Sequence, residues 1–237
     1  MSTPSDSPTA LARMALAEFI GTYCLVFAGC GAIVFDSLTA GAVGNAGIGL
    51  TFGLIVMAMI YAVGDVSGAH LNPAVSLGFL AAQRLQFARF VCFVIAQFAG
   101  AIAAAATLKG LFPFAETLGQ TNPADIGGRI LAFESFVLEA ILTAILMFVI
   151  LRVATGSKEQ GLMAGVAVGG VVALEAMFAG PICGASMNPA RSLGPALLAG
   201  DLQHLGIYFG GPLLGSLLAV PLYFLLRRPM EHPSEVQ

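Results

Sequence analysis

Gly68-Ala69-His70-Leu71-Asn72-Pro73-Ala74-Val75-Ser76-Leu77-Gly78 decides the fold, because the chain contains it twice. The second copy reads Gly184-Ala185-Ser186-Met187-Asn188-Pro189-Ala190-Arg191-Ser192-Leu193-Gly194, and eight of the eleven positions are identical. The copies begin 116 residues apart in a chain of 237. Each reads as a helix start. Asn is a preferred N-cap, and Pro suits the first helical position, where its missing N–H would be unpaired anyway. Each start is followed by one short apolar run, too short to cross a hydrocarbon core of roughly 30 Å. Two Asn-capped half-helices in so hydrophobic a chain predict a duplicated membrane protein with a site between its halves.

Composition supports the bilayer. Charged residues are 10% of the chain and hydrophobic ones 58%, against about 25% and 45–50% in an average soluble domain. A formal net charge of −3 without a basic stripe gives nucleic acid no footing. Cys24, Cys30, Cys92 and Cys183 show no metal-ligand spacing and read as small apolar residues, so no metal or cofactor is expected. No nucleophile–base pair, metal cluster or phosphate loop suggests an enzyme.

Taken in order, residues 1–10 form a Ser/Thr/Pro-rich tail expected to be disordered. A single transmembrane domain over 11–228 follows, with repeat halves at about 11–110 and 130–228 and a polar tail at 229–237. Apolar runs predict spans near 11–35, 46–64, 89–109, 130–151, 161–179 and 205–226, with half-helices near 73–82 and 189–199. The first turn is Gly-rich (36–45), and 152–160 is a polar link. Six spans place both termini on one side. With that side cytoplasmic, Arg13, Arg84, Arg89, Arg152, Lys158, Arg227 and Arg228 are internal, and only Lys109, Arg129 and Arg191 are not. This is the positive-inside bias, and it predicts a multi-pass protein of the plasma membrane with cytoplasmic termini. Each half has three spans and begins with an intramembrane carboxylate, Glu18 or Glu139, so the halves have opposite topology.

Broken helices are tolerated in hydrocarbon only where they line a polar cavity. Two half-helices meeting head to head bring both positive dipole ends, each about half a charge, to the midplane. Asn72 and Asn188 then act as plain helix caps, or also aim an amide N–H at a passing oxygen. Arg191 stands where the first copy has Val75. An arginine at this depth either faces a water-filled lumen or pairs with a loop carboxylate.

The two Asn-Pro-Ala boxes (Asn72-Pro73-Ala74 and Asn188-Pro189-Ala190), the second continuing to Arg191, resemble the aquaporin (major intrinsic protein) family from about Ala17 to Tyr223. The resemblance implies an all-α right-handed bundle of six transmembrane helices and two half-helices. It implies a passive channel for water and small neutral solutes that excludes ions and protons. Offsets from the boxes carry the family's selectivity filter onto Phe52, Ala176, Ala185 and Arg191. Water-only members carry His at the Ala176 position; two methyl groups here imply a wider opening that admits glycerol, urea or an uncharged metalloid acid. Ser192, Ala196 and Tyr208-Phe209 depart from simple glycerol facilitators. Gly21-Thr22-Tyr23, Phe27-Ala28-Gly29-Cys30-Gly31 and Gly180-Pro181 look closest to nodulin-like intrinsic proteins and bacterial aquaglyceroporin-like relatives.

The same resemblance gives Glu18 and Glu139 a structural role, accepting from the loops that lead to Asn72 and Asn188. His70 lines the cytoplasmic vestibule or is a packed, satisfied histidine. Glu175 adjoins Ala176 but is rotated about 100° from it on a helix, which predicts a hydrogen-bonded carboxylate facing a neighbouring helix or a subunit contact. A homotetramer with one pore per chain is also implied, with Gly53, Gly100 and the adjacent Ala101, Ala103 and Ala104 as small-residue packing faces. The competing reading is a proton-coupled secondary transporter, since inverted repeats, broken helices and buried carboxylates also describe those.

Overall fold

Helices occupy eight segments of the computed structural model, which describes residues 7–154 and 162–226. They are α1 (Pro8–Leu38), α2 (Gly44–Ser67), α3 (Pro73–Ala81), α4 (Phe87–Leu111), α5 (Ala132–Ala154), α6 (Ala164–Cys183), α7 (Pro189–Ala199) and α8 (Leu205–Leu225). Six are long and apolar enough to cross a membrane: α1, α2, α4, α5, α6 and α8. The remaining two, α3 and α7, have 9 and 11 residues. At 1.5 Å per residue they are roughly 14 and 16 Å long, so together they make one bilayer crossing.

Local chemistry moves several boundaries from their expected places. The first helix begins at Pro8, inside the stretch expected to be tail: Ser7 Oγ accepts from the Ala10 N–H at 3.1 Å, and Pro8 takes the first helical position. At its other end α1 runs to Leu38, into the expected turn. Asp36 closes the turn by accepting from the N–H groups of Val43 and Gly44 at 3.0 and 2.7 Å. The fifth span continues past Gly180-Pro181 to Cys183. Proline cannot donate to the carbonyl four residues back; here the Asn45 side-chain amide donates to the Met177 carbonyl instead. Among the described residues, one hairpin is not helical. Asp125–Ile126 (β1) and Arg129–Ile130 (β2) pair antiparallel across Gly127-Gly128, whose φ values of 63° and 82° suit a tight hairpin. The expected tail residues 1–6, the link at 155–160 with Lys158, and Arg227, Arg228 and 229–237 lie outside the described residues.

The spans pack as the repeat requires. Helix α1 packs on α4 as α5 packs on α8, and α2 lies along α6 between the halves. Gly53 and Gly169 stand 116 residues apart, like the two boxes. A methyl placed on either would come within 3.0 Å of the other's carbonyl oxygen, so α2 and α6 touch backbone to backbone. Gly100 makes the same close approach to the Phe19 carbonyl, and Ala101 and Ala104 are fully buried. These small-residue faces are used within the protomer. Gly53, Gly100, Ala101 and Ala104 are therefore spent on contacts inside the protomer.

Candidate functional site

The two box loops come from opposite ends and meet at their asparagines. Asn72 Oδ1 caps α3 by accepting from the Ala74 N–H at 2.8 Å. Asn188 Oδ1 caps α7 through the N–H groups of Ala190 and Arg191, at 3.0 and 3.2 Å. Each amide nitrogen then reaches across the repeat. Asn72 Nδ2 donates to the Met187 carbonyl at 2.7 Å, and Asn188 Nδ2 donates to the Leu71 carbonyl at 2.9 Å. The residue before each asparagine is thus held by the other half. An Asn amide has two N–H donors, so each keeps a second one beyond this lock. Pro73, Ala74, Pro189 and Ala190 are buried behind the asparagines as the first turns of α3 and α7.

The loops are wound unusually. Ala69, Leu71, Ala185 and Met187 all have positive φ, between 41° and 53°. Such conformations cost of order 1–3 kcal/mol each and persist where the surroundings over-determine them. Here the carboxylates supply that restraint. Glu18 accepts from Ser67 Oγ (2.6 Å), His70 N–H (2.9 Å), Leu71 N–H (2.7 Å) and Gln97 Nε2 (2.8 Å). Glu139 accepts from the N–H groups of Ser186 and Met187, both at 2.7 Å. The serines complete the winding, Ser186 Oγ donating to the Asn188 carbonyl at 2.9 Å and lying 2.6 Å from Ser192 Oγ.

One cavity of about 110 Å³ runs past these groups. Phe52 from α2, Ala176 from α6, Ala185 from the second loop and Arg191 from α7 all line it, as do Asn72, Asn188 and His70. The rest of its wall is largely aliphatic, including Leu25, Val56, Leu146, Val168 and Val172. The lining therefore combines a largely apolar wall with a few polar groups. Among the described residues, Arg191 does not pair with a loop carboxylate. Its Nη1 donates to the Gly119 carbonyl at 2.6 Å, and its Cζ lies 4.9 Å from the Phe52 ring centroid. A guanidinium has five N–H donors, so this anchorage leaves most of the fork uncommitted.

His70 is both a wall residue of the cavity and a packed one. It lines the cavity, while its ring stacks on Phe79 (centroids 4.4 Å apart) and Nδ1 lies 3.1 Å from Ser76 Oγ. Glu175 differs from expectation. It is buried and does not line the cavity, but neither carboxyl oxygen has a hydrogen-bond partner among the described residues. Gly119 is the site residue that sequence reasoning missed. It lies in the loop before the hairpin, and no motif marks it because its contribution is a backbone carbonyl.

Comparison with known proteins agrees with this helical architecture. The family described as Major intrinsic protein matches residues 6–223. Putative aquaporin NIP4-1 of Arabidopsis thaliana is 45% identical over 224 residues, covering 94% of this chain and 77% of that protein. Aquaporin NIP1-4 of Oryza sativa subsp. japonica is 47% identical over 215 residues, covering 91% and 77%. Among solved structures, the aquaglyceroporin from Plasmodium falciparum superposes with a TM-score of 0.75 at 26% identity, covering 90% of this chain and 93% of that one.

Proposed function

The chain belongs to the major intrinsic protein family, a family of channels and not of enzymes, and from that premise we propose that it passes water and small neutral solutes through a wide constriction formed by Phe52, Ala176, Ala185 and Arg191. The observation that carries this reading is that these four side chains border one cavity and two of them end in a methyl group. Solutes then meet the polar groups of Arg191, Asn188 and Asn72 together with a largely aliphatic wall. A molecule with hydroxyl or amide groups on one edge and C–H groups on the other fits both. Glycerol, urea and uncharged metalloid acids have that character. A cation faces the Arg191 charge and the positive ends of α3 and α7 together, which opposes its passage.

The aquaglyceroporin likeness favours glycerol among these solutes. No observation favours a proton-coupled transporter. We place the protein in the plasma membrane with both termini cytoplasmic, on the distribution of Arg13, Arg84, Arg89 and Arg152 against Lys109 and Arg129.

Stopped-flow light scattering on proteoliposomes tests the solute reading with water, glycerol, urea and arsenous acid. Water together with at least one larger solute is expected to pass, without response to an imposed pH gradient. Ala176→His should suppress glycerol flux and spare water. A wild-type protein that conducts water alone would overturn the wide constriction.

A further inference from the structure

Phe52 is the one aromatic side chain in the proposed constriction, and something must hold its ring clear of the lumen. The ring lies on Gly29 of α1. A methyl placed at Gly29 would sit closer than 3.0 Å to three ring atoms, Cδ1, Cε1 and Cζ. Gly29 is one helical turn beyond Leu25, which lines the cavity, so it belongs to the same face of α1. The Phe52 ring therefore occupies the space that a side chain at 29 would fill.

The ring has few other places to go. Arg191 lies against it and is tethered to the Gly119 carbonyl. That loop is fixed in turn. Gly119 has φ +75°, and a Cβ on it would meet Cys30 Cα and Cβ at 2.9 Å. Cys30 Sγ lies 3.7 Å from the same carbonyl, and the Gly119 N–H donates to Thr117 Oγ1 at 3.0 Å. Consecutive residues of α1 thus seat the two partners of Arg191: Gly29 the aromatic ring, Cys30 the loop carbonyl.

We propose that Gly29 is a positioning residue for selectivity: by leaving a recess in α1 for the Phe52 ring, it sets the width of the channel's constriction. Any side chain there displaces the ring toward the lumen, because the tethered Arg191 blocks the alternative. The effect acts through a movable ring and not through the backbone. Gly29 lies within a helix, where Ala is the better helix former.

This inference rests on the assignment of Phe52 to the constriction, and the experiment separates the two. Wild type, Gly29→Ala, Phe52→Leu and the double variant are compared in proteoliposomes by their glycerol-to-water permeability ratio. Gly29→Ala is expected to lower the ratio by about tenfold, the low end of what a one-carbon change of fit discriminates, while water still passes. Phe52→Leu should raise the ratio, and the double variant should match Phe52→Leu, since the recess matters only to the ring. An unchanged ratio in Gly29→Ala, with Phe52→Leu still raising it, overturns the role of Gly29 alone. A ratio unmoved by Phe52→Leu instead removes Phe52 from the constriction. Should Gly29→Ala fail to fold, the double variant decides: a ratio well below that of Phe52→Leu would show that Gly29 acts independently of the ring.

Discussion

Glu18 accepts four hydrogen bonds, Glu139 accepts from two backbone N–H groups, and Glu175 has no partner among the described residues. All three are buried, so their replacements should differ in sign. Glu18→Ala strands the His70 and Leu71 N–H groups, each left-over donor costing about 1–3 kcal/mol. We expect a lower melting temperature in detergent and lost flux. Glu175→Leu removes an unpartnered polar group while keeping similar volume. It should raise the melting temperature, by up to about 1–3 kcal/mol of stability, and leave the glycerol-to-water ratio alone. A fall in stability would show that the carboxyl has work in the folded channel. Helix rotation was enough to keep Glu175 off the cavity wall in the sequence reading. Its missing partner was not legible, because what faces a side chain across a helix interface depends on packing that one helix's periodicity does not encode. Gly119 was hidden for a related reason: a carbonyl that anchors Arg191 is common to every residue type.

The half-helices were the most legible elements. Asn-Pro is a capping signal that acts within a few residues, and the structure starts α3 and α7 at Pro73 and Pro189. The long helices were legible in their middles and less so at their ends. Ser7-Pro8 reads equally as tail composition and as a helix start, and only the cap bond to Ala10 decides. Pro181 reads as a stop, yet Asn45, more than 130 residues earlier, supplies the donor that lets α6 continue. That substitution of donors is testable. Asn45→Ala should cost about 0.5–1.5 kcal/mol, the usual net worth of one hydrogen bond. In a Pro181→Ala background the helix regains its own N–H, and the same change should then cost little. Equal losses in both backgrounds, measured by thermal unfolding in detergent, would mean that Asn45 serves something other than the proline gap. Small residues misled at this scale. Their value for close approach was clear from sequence, but Gly53 and Gly100 spend it inside the protomer.

At the scale of the whole molecule, α2 is the least buried of the six spans and presents Leu50, Leu54 and Tyr61 outward. Such a face suits a neighbouring subunit, and we expect a homotetramer by native mass measurement in mild detergent. A flux-competent monomer or dimer would overturn this. The repeat also has a consequence for biogenesis. During synthesis the first loop can be wound by partners in its own half, because Glu18, Ser67 and Gln97 all precede residue 100. Its final clasp cannot form then, since Asn72 waits for a carbonyl 115 residues downstream. At roughly 5–20 residues per second this delay is about 6–23 s of translation. The early half of the protein therefore sits in the bilayer with its box asparagine unlatched until the second box has been made, and the arrival of Met187 and Asn188 closes both latches in a single docking event.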